Sequence, residues 1–119
     1  MENPLVNGEI QFAWLPHLPD QAKIFVRLLD VSLLDAPAHT VAEQVLTGIS
    51  HQANAGQAIP FALTGKPPDQ RASYTVSVVV DLDGDGNILS PGDFISMQSY
   101  PVLTYGHPSQ VSIEVKEIK

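Results

Sequence analysis

Tyr74-Thr75-Val76-Ser77-Val78-Val79-Val80 decides the fold class of this chain of 119 residues. Tyr74, Val76, Val78 and Val80 alternate with Thr75, Ser77 and Val79, the period that sends successive side chains to opposite faces of a pleated strand. β-Branched residues dominate the run, and they suit a pleated, half-buried surface better than a helix. The pattern recurs on both sides. Ile10, Phe12 and Trp14 alternate with Glu9, Gln11 and Ala13; Ile24, Val26 and Leu28 with Lys23, Phe25 and Arg27; and Val111, Ile113 and Val115 with Ser112, Glu114 and Lys116.

Breakers separate these runs. Leu15-Pro16-His17-Leu18-Pro19-Asp20 follows the first, Lys66-Pro67-Pro68-Asp69 follows a short apolar run from Ile59 to Leu63, and Tyr105-Gly106-His107-Pro108 precedes the last. Ten prolines and eight glycines leave few stretches for helix, because proline removes a donor and clashes with the preceding turn. Thr40 to Ile49 is the ambiguous segment. Thr40 and Glu43 have capping-box spacing and Val41, Val45 and Ile49 share a helical face, but Gly48 and the β-branched content favour a strand. The expectation is one all-β domain spanning residues 1–119, a small antiparallel sandwich or barrel of about seven or eight strands.

Composition narrows the function. Apolar residues make up 44% and charged residues 16%, which argues against intrinsic disorder. Net charge is −7, from 13 acids against 6 Lys plus Arg, with no basic stripe; that opposes a phosphate backbone, so nucleic acid is not an expected partner. No apolar run approaches the ~20 residues of a membrane-spanning helix. The absence of cysteine excludes disulfides, thiolate metal sites and cysteine nucleophiles. Met1-Glu2-Asn3-Pro4 has neither the basic nor the apolar region of a secretory signal.

One motif carries chemistry. Asp81-Leu82-Asp83-Gly84-Asp85-Gly86-Asn87-Ile88 places carboxylates on alternate residues, and with Asp93 it puts four acids in 13 consecutive residues. Calcium takes ~6–8 oxygen ligands, which such a loop can converge upon it. The expected ligands are Asp81, Asp83, Asp85, Asn87 through its carbonyl, and Asp93. An EF-hand places an acid at loop position ~12 between flanking helices; here Gly92 holds that position and strands flank the loop, so the motif is EF-hand-like and not an EF-hand. The competing reading is a solvated turn, since Asp-Gly is a favoured hairpin step. Three neighbouring carboxylates repel one another without a cation, which favours calcium in a loop-pinning role.

Nothing else organises into a catalytic or metal site. His17, His39, His51 and His107 lack ligand spacing, and no Gly-x-Ser-x-Gly elbow, His-Glu-x-x-His helix or phosphate-cradling loop is present, so no enzymatic activity is expected. Phe12 and Trp14 are expected in the core. Phe25 and Leu29 fall opposite Ile24, Val26 and Leu28, either as an exposed patch for a partner or as the inner side of a strand covered on both faces.

Three segments carry a resemblance. Val26-Arg27-Leu28-Leu29-Asp30-Val31-Ser32-Leu33-Leu34-Asp35-Ala36-Pro37, Ile59-Pro60-Phe61-Ala62-Leu63 and Gln98-Ser99-Tyr100-Pro101-Val102-Leu103-Thr104-Tyr105-Gly106 resemble, in the same order, segments of the YbaY-like lipoproteins, which are grouped with the type III secretion lipoprotein chaperones, or pilotins. The resemblance implies an immunoglobulin-like β-sandwich, strand rather than helix for Thr40 to Ile49, and a cell-envelope location. Pilotins help a secretin assemble. No segment matches a secretin-binding motif, so the leading expectation is a non-enzymatic, calcium-stabilised accessory or binding module. The alternative is a chaperone-like, pilotin-type domain that binds a protein through an exposed sheet edge, with the acidic loop incidental. The chain departs from the family pattern in lacking the lipidation cysteine and in carrying the aspartate loop.

Overall fold

The structure is a computed structural model in which residues 5–13, 17–32, 38–65, 69–82, 94–96 and 100–117 are described. Among the described residues eight strands form: β1 (Val6–Phe12), β2 (Lys23–Asp30), β3 (His39–Leu46), β4 (Ile59–Leu63), β5 (Tyr74–Asp81), β6 (Phe94–Ser96), β7 (Pro101–Val102) and β8 (Gln110–Glu117). One short helix, α1 (Ser50–Asn54), lies between β3 and β4. The alternating runs in β2, β5 and β8 are strands throughout and the first is a strand up to Phe12, while Thr40 to Ile49 lies in β3 up to Leu46, with Ile49 capping α1.

All eight strands belong to one sheet, ordered β3-β2-β5-β6-β8-β1-β4, with β7 paired to β5. The sandwich expectation is corrected in two respects. β1 and β8 run parallel, with Gly8 opposite Val111 and Ile10 opposite Ile113, so the sheet is mixed and not purely antiparallel. The ladder also continues through β6, which pairs with β5 on one side and β8 on the other, so two separate sheets do not form. The sheet curls until its end strands approach, giving a nearly closed barrel: the Gln44 carboxamide of β3 accepts the Ala62 N–H of β4 at 2.8 Å.

One apolar core fills the interior. Ile10, Ile24, Val26, Leu28, Val78, Val80, Ile113 and Val115 are fully buried, as alternation requires of residues on the inward face. Leu18, Ile49 and Ala53 join the same core. Asn54 fixes α1 there, accepting from Leu18 N at 2.7 Å and donating to Leu18 O at 3.0 Å. Trp14 lies outside the described residues. Phe12 is half-buried and packs against the core, edge-on to the core residue Phe94 with ring centroids 5.0 Å apart.

Two local devices complete the sheet. Gly8 lies so close to β8 that a Cβ there would stand 1.8 Å from the Val111 carbonyl oxygen, and the Phe61 ring occupies the remaining space. Beyond Ser96, the last described residue of β6, Tyr100 also reaches β8: its hydroxyl accepts from Glu114 N at 2.9 Å, and its own N–H donates to Thr75 Oγ1 at 3.0 Å. Tyr100→Phe leaves the Glu114 N–H without that acceptor and is expected to cost about 1–2 kcal/mol in chemical unfolding with an unchanged m-value. An unaltered midpoint would mean that water replaces the phenol at no cost.

Candidate protein-docking face

β2 separates two kinds of surface. Ile24, Val26 and Leu28 enter the core, while Phe25, Arg27 and Leu29 point outward and are half-buried. Register then builds a row across four strands: Val45 of β3 and Val79 of β5 both lie opposite Phe25, and Ile95 of β6 lies opposite Val79. Val79 is buried, yet it is no part of the core cluster, as expected of a side chain enclosed by its outward neighbours. Val45 remains 44% exposed at the end of the row. The described strands all lie edge to edge in the one sheet, so none is layered over this face.

Polar rows border the apolar one. Arg27 lies opposite Glu43 and Ser77, is ion-paired to Glu43 and sits 5.6 Å from the centroid of the Phe25 ring. Both partners of that pair are about one-third or more exposed, so it orients the surface and contributes ~0–1 kcal/mol. On the other side Lys23 lies opposite Asp81. An apolar centre with a charged rim and an Arg stacked near an aromatic ring is the composition of a protein contact. Phe25 and Leu29 point outward but are half-buried, between the two readings open for them: neither fully exposed nor enclosed on both faces.

The sheet edge is less accessible than expected. The Ala62 N–H points away from β1 but is taken by Gln44, and Pro60, two residues earlier and directed the same way, has no N–H. Proline and a capped donor protect an edge from strand addition. A second surface feature, an open groove of about 650 Å³ across β4, β1 and β8, is lined by Asn7, Glu9, Gln110 and Ser112 beside Pro60 and Pro108. Phe61 and Val111 also line it, and Glu9 accepts from Gln11 at 3.0 Å and from Ser112 at 3.2 Å.

Of the expected calcium ligands, Asp81 ends β5 and is 1% exposed; Asp83, Asp85, Asn87 and Asp93 lie outside the described residues. Among the described residues no three His, Asp or Glu side chains form a metal cluster. Two of the three motif segments, by contrast, converge on the loop before β5. Ser32 donates twice to Asp30, from N at 2.9 Å and Oγ at 2.5 Å, and these bonds hold the Asp30 carboxyl below the usual carboxylate range. Ser32 Oγ in turn accepts from Ser73 N at 2.9 Å. Thr104 Oγ1 donates to Ala72 O at 2.7 Å and Tyr105 OH to Arg71 O at 2.8 Å. The Asp-Val-Ser and Leu-Thr-Tyr-Gly stretches thus clamp the loop before β5 from two sides.

Residues 1–115 match the family of type III secretion system lipoprotein chaperones (YscW), and the chain belongs to that family. The family is a group of secretion chaperones and not a class of enzymes. Among solved structures the chain is similar to an alternative pilotin from the type II secretion system of Vibrio cholerae, at 26% identity and a TM-score of 0.72, with 96% of each chain covered. No curated protein matches it. No helix in the described residues is long and apolar enough to cross a membrane.

Proposed function

We propose that this chain is a pilotin-type accessory protein of the cell envelope that binds a secretin and assists its assembly. The match to a family of secretion chaperones over residues 1–115 carries this reading, and the likeness to a type II pilotin over nearly the whole chain supports it. The lipoprotein character of the family supports the envelope location. The contact falls on the outward row Val45–Phe25–Val79–Ile95 rather than on the β4 edge, where Pro60 lacks an N–H and the Ala62 N–H is taken by Gln44. Co-expression tests the role: omitting this chain should lower the fraction of secretin recovered as membrane-embedded multimer. Equal multimer with and without it would overturn the reading.

A second reading concerns Asp81, Asp83, Asp85, Asn87 and Asp93 as a calcium loop of structural role. The observation in its favour is the burial of the Asp81 carboxylate at the strand end where the loop begins; Lys23 across the ladder is the competing source of counter-charge. A ligand confined to the folded state adds about 2.7 kcal/mol at 100 times its dissociation constant, a shift of several degrees in melting. Calorimetry should therefore show a higher Tm in excess calcium than in chelator, with magnesium a poor substitute. Identical melting in calcium and chelator would reduce the loop to an acidic turn.

A further inference from the structure

The turn after β7 is held in a conformation that most side chains avoid. Leu103 (φ 73°) and Tyr105 (φ 55°) are both left-handed, and Gly106 follows at φ 82°. Thr104 N donates to Val102 O at 2.9 Å, so Leu103 is the centre of a γ-turn of the strained, positive-φ kind. Leu103 N bonds Pro108 O at 3.0 Å and His107 N bonds Thr104 O at 3.0 Å, and the buried Thr104 hydroxyl is tied to Ala72. Strain of this sort persists only where the surroundings over-determine it.

Packing accounts for Leu103, which is half-buried against the core, but not for Tyr105. Tyr105 is 67% exposed, above Val41 and Val45 among the exposed large apolar side chains of the described residues. Gly or Asn would serve the backbone better at this φ, yet the position displays a phenol ring. Its hydroxyl is tied to Arg71 O at 2.8 Å, which orients the ring before any contact and reduces the entropy lost on binding. Arg71 is itself exposed and has no ion-pair partner among the described residues. Tyr and Arg are the residue types that dominate interface energetics.

We infer that Tyr105 and Arg71 form a preorganised anchor for the protein partner, taking a segment that lays an apolar side chain on the ring and offers a carboxylate to the guanidinium. The inference rests on the secretin reading above and names a contact for that partner outside the Phe25–Val45 row. Titration with purified secretin, paired with melting curves, tests it. Tyr105→Asn keeps a residue tolerant of the left-handed backbone, so its Tm should equal or exceed that of wild type while affinity falls by about tenfold or more. Tyr105→Phe loses the tie to Arg71 but keeps the ring, and should lose less than about threefold. Arg71→Ser should weaken binding and flatten its salt dependence. Wild-type affinity in Tyr105→Asn would overturn the inference alone, as would a lowered Tm with binding reduced only in proportion to the unfolded fraction. Failure of wild type to bind secretin would overturn the secretin reading and this inference with it.

Discussion

Gly8→Ala is expected to lower Tm by on the order of 10 °C, corresponding to about 3 kcal/mol of overpacking in a domain of this size. The added carbon would stand 1.8 Å from the Val111 carbonyl oxygen and 2.9 Å from its carbon. Both are backbone atoms, so no rotamer change relieves the clash. Relief requires β1 to move away from β8, and the parallel register from Asn7–Gln110 to Phe12–Val115 holds both strands in place. Gly48→Ala is the matched control: Gly48 has φ 66° but open space around its Cα, so only the backbone term of ~1 kcal/mol remains. Equal losses in the two variants would show that conformation, and not close approach, is what Gly8 supplies.

The second large effect is on binding. Phe25→Ser combined with Val45→Lys removes an aromatic ring and an exposed apolar side chain from the centre and end of the outward row, and should weaken secretin binding by more than about tenfold, or ~1.4 kcal/mol. The fold should tolerate the pair. Phe25 and Val45 lie outside the core cluster, and lysine is well suited to an exposed end strand. The loss of β-propensity across both sites is on the order of 1 kcal/mol, well within a stability of ~5–15 kcal/mol. Melting near the wild-type temperature therefore separates a docking defect from unfolding.

The strands were legible because each carries an apolar inward face at period two: the inward residues of β2, β5 and β8 are those that alternation selects, although Phe25, Leu29 and Val79 make the outward faces of β2 and β5 partly apolar as well. β3 shows where that logic runs short. Its strand character follows from Gly48 and the β-branched residues, but its more apolar side, Val41 and Val45, faces outward, while Ala42, Gln44 and Leu46 face inward. Gln44 is needed there to bridge to Ala62, a demand set by closure of the sheet and invisible in a local window. The parallel pairing of β1 with β8 was equally hidden, because alternation is the same in either direction. α1 is five residues long, too short for a helical period, and depends on Asn54 reaching back to Leu18. Gly106 marked a turn, but not that Leu103 and Tyr105 would share its handedness. The outward row was legible only in part: Phe25 stood out opposite a buried face, whereas Val45, Val79 and Ile95 joined it only through register.

The most direct measurement is calorimetric titration of purified secretin into the wild-type chain and into the Phe25→Ser, Val45→Lys variant. Saturable binding by wild type, with affinity reduced by more than about tenfold in the variant at unchanged melting, is the predicted result. No binding by wild type would contradict the pilotin-type function, and equal binding by both would contradict its placement on the outward face of β3, β2, β5 and β6.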